Sequence, residues 1–259
     1  MNERKGKIFG LLIFILLIGV LCYLTFYSNS IQRNGRIEQI HVEGNKLLPG
    51  NDYISFARLN NISLLKGLTL GIIKDRFEKH PYILRADVEY TGKNEVNIHL
   101  TEKGIYAVVL NGSQPYLISD KFQLLPLLAN MKFVDYPVIT NLKENRLKSL
   151  SVVQSDDLVQ AFKIIDAVRL TDTEILKRLS EINLRSGGDV VMTLSGIQPP
   201  IIFGRGREAE KMVCIEMLWS NLFEGKNLLI ESDYVDLRFA DNIYLGNIVR
   251  RAPSEENQD

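Results

Sequence analysis

The chain of 259 residues carries 31 Lys+Arg against 31 Asp+Glu, and 46% of its residues are hydrophobic, which suits one large or two small folded units rather than a disordered chain. Its formal net charge of zero lacks the basic surplus with which nucleic-acid binders displace phosphate counterions. Two cysteines, Cys22 and Cys214, are too few for a disulfide scaffold or a four-thiolate zinc site.

From Ile8 to Tyr27 the chain runs through 20 residues without a charge. As a helix rising about 1.5 Å per residue, this run covers roughly the 30 Å of a bilayer core. A cleaved signal peptide would have a shorter apolar core followed by small residues, whereas here Cys22, Tyr23, Leu24, Thr25, Phe26 and Tyr27 follow. The segment is therefore expected to be a retained single span. Arg4, Lys5 and Lys7 precede it, which keeps the N-terminus cytoplasmic and places the bulk of the chain outside the cytoplasm. Residues 28–35 are polar and short, as expected of a linker.

Between Arg36 and Lys103 the pattern predicts strand, helix, helix, strand, strand. Ile40 and Val42 alternate with Gln39 and His41, and Gly44-Asn45 supplies a turn. Asn51 or Asp52 is placed to cap a first helix running through Arg58. Thr69 is placed to cap a second, in which Leu70, Ile73 and Phe77 share one face until Pro81 stops it. Ala86, Val88 and Tyr90 then alternate with polar residues, as do Val96, Ile98 and Leu100 after a turn at Gly92-Lys93-Asn94. The runs IEQIHVEGNKLL, HPYILRADVEY and VNIHLTEK resemble the POTRA domain that follows the single span of the FtsQ/DivIB family of bacterial cell-division proteins. That family's Glu-Arg and following Pro are replaced by Glu102, Lys103, Gly104 and Ile105.

Beyond the junction, YLISDKFQLLP (116–126) resembles the family's next strand pair, with Lys121 or Phe122 where a turn Gly is usual. YPVITN (136–141) resembles its following strand, with Asn141 in place of Gly. A helix is expected from a Ser155 or Asp156 cap, burying Phe162, Ile165 and Val168. Strands at 182–184 and 190–194 flank Gly187-Gly188. A strand at 201–203 precedes a helix with Met212, Ile215, Trp219 and Leu222 on one face. YVDLRFADNIYLG (234–246) resembles the family's C-terminal hairpin, Asp236-Leu237-Arg238 matching its core.

Enzyme chemistry finds little support. Gly204-Arg205-Gly206-Arg207-Glu208-Ala209 fits G-x-G-x-x-A, yet it comes late, among hairpins rather than at the start of a parallel sheet, and reads better as a close strand-to-helix turn. His41, His80 and His99 lack a second ligand at metal spacing. No G-x-S-x-G or S-x-x-K set occurs. Asp156-Asp157 suits a helix start through the dipole, and Asp236 with Arg238 suits either an ion pair or a partner contact.

The expected architecture is thus α+β. It comprises a cytoplasmic tail (1–7), a transmembrane helix (8–27), a linker (28–35), a POTRA domain (36–103), a mixed β-rich C-terminal domain with flanking helices (104–249) and a disordered tail (250–259). No catalytic, cofactor or metal residues are assigned. The resemblance implies a divisome scaffold in the bacterial inner membrane, at the septum, whose C-terminal sheet edge receives FtsB-like and FtsL-like single-span partners by strand addition. It places the contacts at Arg238, Phe239, Ile243, Tyr244, Leu245 and Gly246, with Asn247 where the family can carry a bulky aromatic. The register of that edge is open from sequence. An envelope enzyme or chaperone with an unrecognised site is the alternative.

Overall fold

The computed structural model describes residues 2–31, 37–61, 67–92, 94–112, 114–132, 135–144, 147–219, 232–239 and 242–246. Helix α1 (Asn2–Ile31) has 30 residues, with side chains described for residues 11–25. Among the described residues no helix is long and apolar enough to cross a membrane. The helix runs past Tyr27 and also takes in most of the expected cytoplasmic tail, because Ser28, Asn29 and Ser30 contain neither Gly nor Pro to break it. The tail at 250–259 and Leu222 lie outside the described residues.

The next elements are β1 (Gln39–Glu43), α2 (Gly50–Phe56), α3 (Leu70–Glu78), β2 (Ile83–Tyr90) and β3 (Glu95–Glu102). The sheet order is β1-β3-β2, β1 parallel and β2 antiparallel to the central strand. Gly44 turns the chain out of β1 at φ +80, where an added Cβ would stand 2.3 Å from the Leu100 carbonyl oxygen. Thr69 caps α3 by accepting the Ile72 N–H at 3.3 Å. The cap expected of Asn51 or Asp52 is absent: Pro49 holds the N-cap position at φ −57 with no side-chain bond, its ring having already set the entry angle. That helix also stops at Phe56, short of Arg58, which takes φ +56. Tyr53, Ile73 and Phe77 descend from the helices onto Val96, Ile98 and Leu100, all buried.

Among the described residues the second sheet has nine strands: β4 (Ile105–Asn111), β5 (Gln114–Ser119), β6 (Leu124–Pro126), β7 (Val138–Thr140), β8 (Leu179–Asn183), β9 (Val191–Leu194), β10 (Ile201–Ile202), β11 (Tyr234–Asp236) and β12 (Tyr244–Gly246). Their order is β12-β11-β10-β9-β8-β7-β4-β5-β6. Phe122 at φ +58 and Asn141 at φ +52 occupy the two turns where the family pattern carries Gly. Asn tolerates that region readily, whereas Phe122 is held by its stack on Phe162, 4.3 Å between ring centres. Helices α4 (Asp156–Thr171), α5 (Thr173–Arg178) and α6 (Glu208–Leu218) accompany the sheet. Ser155 caps α4, and Phe162, Ile165, Val168, Met212 and Ile215 join the apolar cluster with Ile139, Ile182, Met192 and Val235.

The two sheets meet across a continuous apolar contact. Ile105, Val108, Leu117 and Leu125 belong to the cluster that fills the first unit. Polar bonds reinforce it: Tyr82 Oη donates to the Pro126 carbonyl at 2.6 Å and accepts the Leu128 N–H at 3.2 Å. Lys103 Nζ donates to the Pro81 carbonyl and to Gln123 Oε1.

Candidate partner-binding edge

Strand β12 ends the nine-stranded sheet, paired antiparallel to β11 with Tyr234 opposite Gly246, Val235 opposite Leu245 and Asp236 opposite Tyr244. Val235 N–H donates to the Pro200 carbonyl at 3.0 Å and Leu237 N–H to the Ile202 carbonyl at 2.9 Å. These residues therefore turn their peptide groups to β10, and Tyr234 and Asp236, one step out of phase, turn theirs to β12. The Gly246 carbonyl accordingly faces β11, accepting the Asp233 N–H at 2.7 Å. Leu245, opposite Val235, directs its N–H and C=O away from the sheet. The register that sequence left open is thus resolved: Tyr244 and Gly246 hold β12 in place, and Leu245 faces the side of β12 that no described strand covers.

The side chains add a mixed apolar surface. Tyr244 is 51% exposed and Phe239 54%, their rings edge-to-face at 5.2 Å. Leu245 is 40% exposed, while Ile243 packs partly against the main core. A side chain at Gly246 would displace the Tyr234 ring, since an added Cβ would stand 2.3 Å from its Cε1. A cleft of about 360 Å³ lies behind the edge, between α6 and Leu237, Phe239 and Ile243.

Arg238 is held by its own chain. Its Nε bonds both oxygens of Asp236 (3.0 and 3.1 Å), its second terminal nitrogen bonds Asp236 Oδ2 at 2.6 Å, and the other bonds Asp189 Oδ2 at 2.8 Å. The guanidinium holds the buried Asp236 carboxyl below its usual range, and the two carboxylates raise Arg238 in turn. Burial lowers the ammonium of neighbouring Lys211, whose Nζ donates to the Phe203 carbonyl at 2.7 Å.

A family model described as "POTRA domain, FtsQ-type" matches residues 35–103. The cell division protein FtsQ of Geotalea daltonii is 24% identical over 213 residues, covering 82% of this chain and 76% of the relative. The cell division protein FtsQ of Geobacter sp. strain M21 is 26% identical over 214 residues, with the same coverage. The chain thus carries an FtsQ-type POTRA domain and is similar over most of its length to two FtsQ proteins.

The POTRA match falls on the three-stranded first unit, and the β-rich second sheet follows it. Of the residues singled out in the sequence, Phe239, Ile243, Tyr244, Leu245 and Gly246 come together at the sheet end, and Arg238 joins them turned inward to its aspartates. Asn247 lies outside the described residues. The G-x-G-x-x-A segment is a strand-to-helix turn with Gly204 at φ +67, Gly206 at φ +76 and Arg207 at φ +58. Glu208 Oε1 accepts the Gly206 N–H there, which ties the turn to the first residue of α6. Sequence reasoning missed Asp189, which carries no motif and reaches Arg238 only through tertiary packing.

Proposed function

We propose that this chain is a membrane-anchored divisome scaffold that recruits and connects division proteins at the septum, binding FtsB-like and FtsL-like single-span partners by strand addition along β12. The observation that carries the reading is the outward-directed peptide group of Leu245 on the strand that ends the sheet among the described residues. A partner strand gains backbone bonds there, and the Tyr244–Phe239 ring pair on one face with Leu245 on the other supplies selectivity. Recognition of this kind uses no catalytic group, so the role is non-enzymatic. The POTRA domain supplies further recruitment contacts.

In this reading α1 is the single span. It is continuous over Asn2–Ile31, contains the charge-free run Ile8–Tyr27, and leaves Leu11 to Leu17 exposed, as a lipid-facing helix requires. Arg4, Lys5 and Lys7 orient it with the N-terminus in the cytoplasm, in the bacterial inner membrane. Units 36–103 and 104–249 form the POTRA and C-terminal domains outside.

The test is co-purification of the full-length chain with FtsB-like and FtsL-like proteins from cross-linked membranes, alongside protease treatment of spheroplasts. Capture of both partners and digestion of residues beyond the anchor are expected. Full protection from protease overturns the topology, and absence of both partners overturns the scaffold reading.

A further inference from the structure

The edge strand is braced from a distance, and the brace has parts that no sequence motif marks. Asp236 stands directly opposite Tyr244 in the β11–β12 ladder and is only 4% exposed. Its charge is matched by the Arg238 guanidinium through three bonds of 2.6–3.1 Å, while the backbone N–H of Arg238 donates to Asp236 Oδ1 at 3.0 Å. A buried carboxylate without its cation is strongly destabilising to whatever it touches. Whether Arg238 stays over Asp236 therefore governs the ladder at Tyr244.

Two features keep it there. Gly204 lies beneath the arginine: a Cβ at that position would stand 2.8 Å from Arg238 Cγ, so the absence of a side chain creates the seat. Asp189, in the segment between Gly188 and β9, accepts from the remaining terminal nitrogen at 2.8 Å. The segment carrying Asp189 is itself fixed, because Arg205 Nε donates to the Gly188 carbonyl at 2.8 Å and its terminal nitrogen pairs with Asp157 at 2.7 Å. Phe203 and Gly204 both donate their N–H groups to the Val190 carbonyl, at 2.9 and 3.0 Å. The strand-to-helix turn at 204–207 and the loop before β9 thus form one rigid mount.

We propose that Asp189 is a positioning residue for the partner-binding edge: by tethering the free end of the Arg238 fork to this mount, it keeps Asp236 neutralised and β12 in register for an incoming strand. It acts through Arg238 and needs no contact with the partner. The inference deepens the strand-addition reading and rests on it for its biological meaning, although the bracing of β12 is measurable without any partner.

The experiment uses the full-length chain in lipid nanodiscs, as wild type, Asp189→Asn and Asp189→Glu. Amide hydrogen exchange is followed at Tyr244 and Gly246, and affinity is measured for a purified FtsB-like partner. Because Asp189 is 44% exposed, its pair with Arg238 is worth at most about 1 kcal/mol, or about fivefold. Asp189→Asn should speed exchange at those two amides by up to about that factor, weaken partner binding comparably, and leave exchange in β4 and β5 unchanged; Asp189→Glu should restore both. Unchanged exchange at Tyr244 and Gly246, faster exchange throughout the sheet, or failure of Glu to rescue overturns the inference. If the exchange results come out as expected while the wild-type chain binds no FtsB-like partner, the scaffold reading fails and the brace stands.

Discussion

Val235 donates its N–H to the Pro200 carbonyl at 3.0 Å, and through that bond it dictates how Leu245, its neighbour across the hairpin, presents its own peptide group. Val235 has nothing left to exchange with β12, so the two residues form a non-hydrogen-bonded pair and Leu245 faces outward.

The consequence is an asymmetry between adjacent proline variants. Leu245→Pro removes only an outward donor, which a terminal strand tolerates, whereas Tyr244→Pro removes a bond to Asp236 and disrupts the ladder. Leu245→Pro should therefore keep its circular dichroism and melting transition yet lose the FtsB-like partner. Tyr244→Pro should lose stability by about 1–3 kcal/mol, the cost of leaving a β11 carbonyl without its donor. Normal binding by the folded Leu245→Pro protein would show that recognition lies elsewhere.

His80 predicts acid sensitivity. It is 3% exposed, ringed by Tyr53, Phe56 and Tyr82 at 4.6, 4.6 and 5.3 Å, and its Nδ1 accepts the Tyr82 N–H at 3.1 Å. Burial, with Lys103 nearby, lowers it from 6.5 to about 4. Between those values the unfolded chain holds the proton and the folded one does not, so stability falls as pH drops from 6.5 to 4 and is complete above 6.5. The loss amounts to roughly 3 kcal/mol at most. Urea midpoints across this range should slope for the wild type and flatten in His80→Gln.

Gly44→Ala should be among the most damaging single changes in the first unit. The position needs φ +80, and the new methyl meets the Leu100 backbone at 2.3 Å, an obstacle that no rotamer change relieves. The backbone conformation alone costs about 1–3 kcal/mol. A melting temperature within a degree of wild type would contradict the turn geometry.

At the junction, Tyr82→Phe leaves the Pro126 carbonyl and the Leu128 N–H without their 2.6 and 3.2 Å partner. A loss of about 1–3 kcal/mol follows. Limited proteolysis should become faster at 127–132 while cleavage within β2 and β3 stays slow. Residues 36–103 in isolation should still unfold cooperatively, but with a lower midpoint than in 36–259, because Ile105, Val108, Leu117 and Leu125 are removed from their core. Equal midpoints would show the contact to be energetically idle.

Local regularities were legible in the chain itself. Alternation at Ile40 and Val42, at Ala86, Val88 and Tyr90, and at Val96, Ile98 and Leu100 marks strands with one face turned to the core, buried in β3 and half-buried along β1 and much of β2, and a period of two is a property of any pleated strand. Thr69 and Ser155 announce their helices because a cap acts within three residues. Gly44 announces its turn because only glycine fits there. The first cap, at Pro49, was misread because Asn51 and Asp52 have suitable side chains but stand inside the helix.

What sequence determined, then, is the β-α-α-β-β unit and most of the later elements, carried by short-range spacing, while β4 and α5 carried no such signal. Tertiary structure alone decided the direction of the Leu245 peptide group, which depends on how β11 spends its bonds on β10. It alone decided that Arg238 turns inward to Asp189, a partner 49 residues away, and that the apolar core of the first unit continues into β4, β5 and β6. Contacts between residues far apart in the chain leave no periodic signal, because their geometry exists only once the sheets have closed around them.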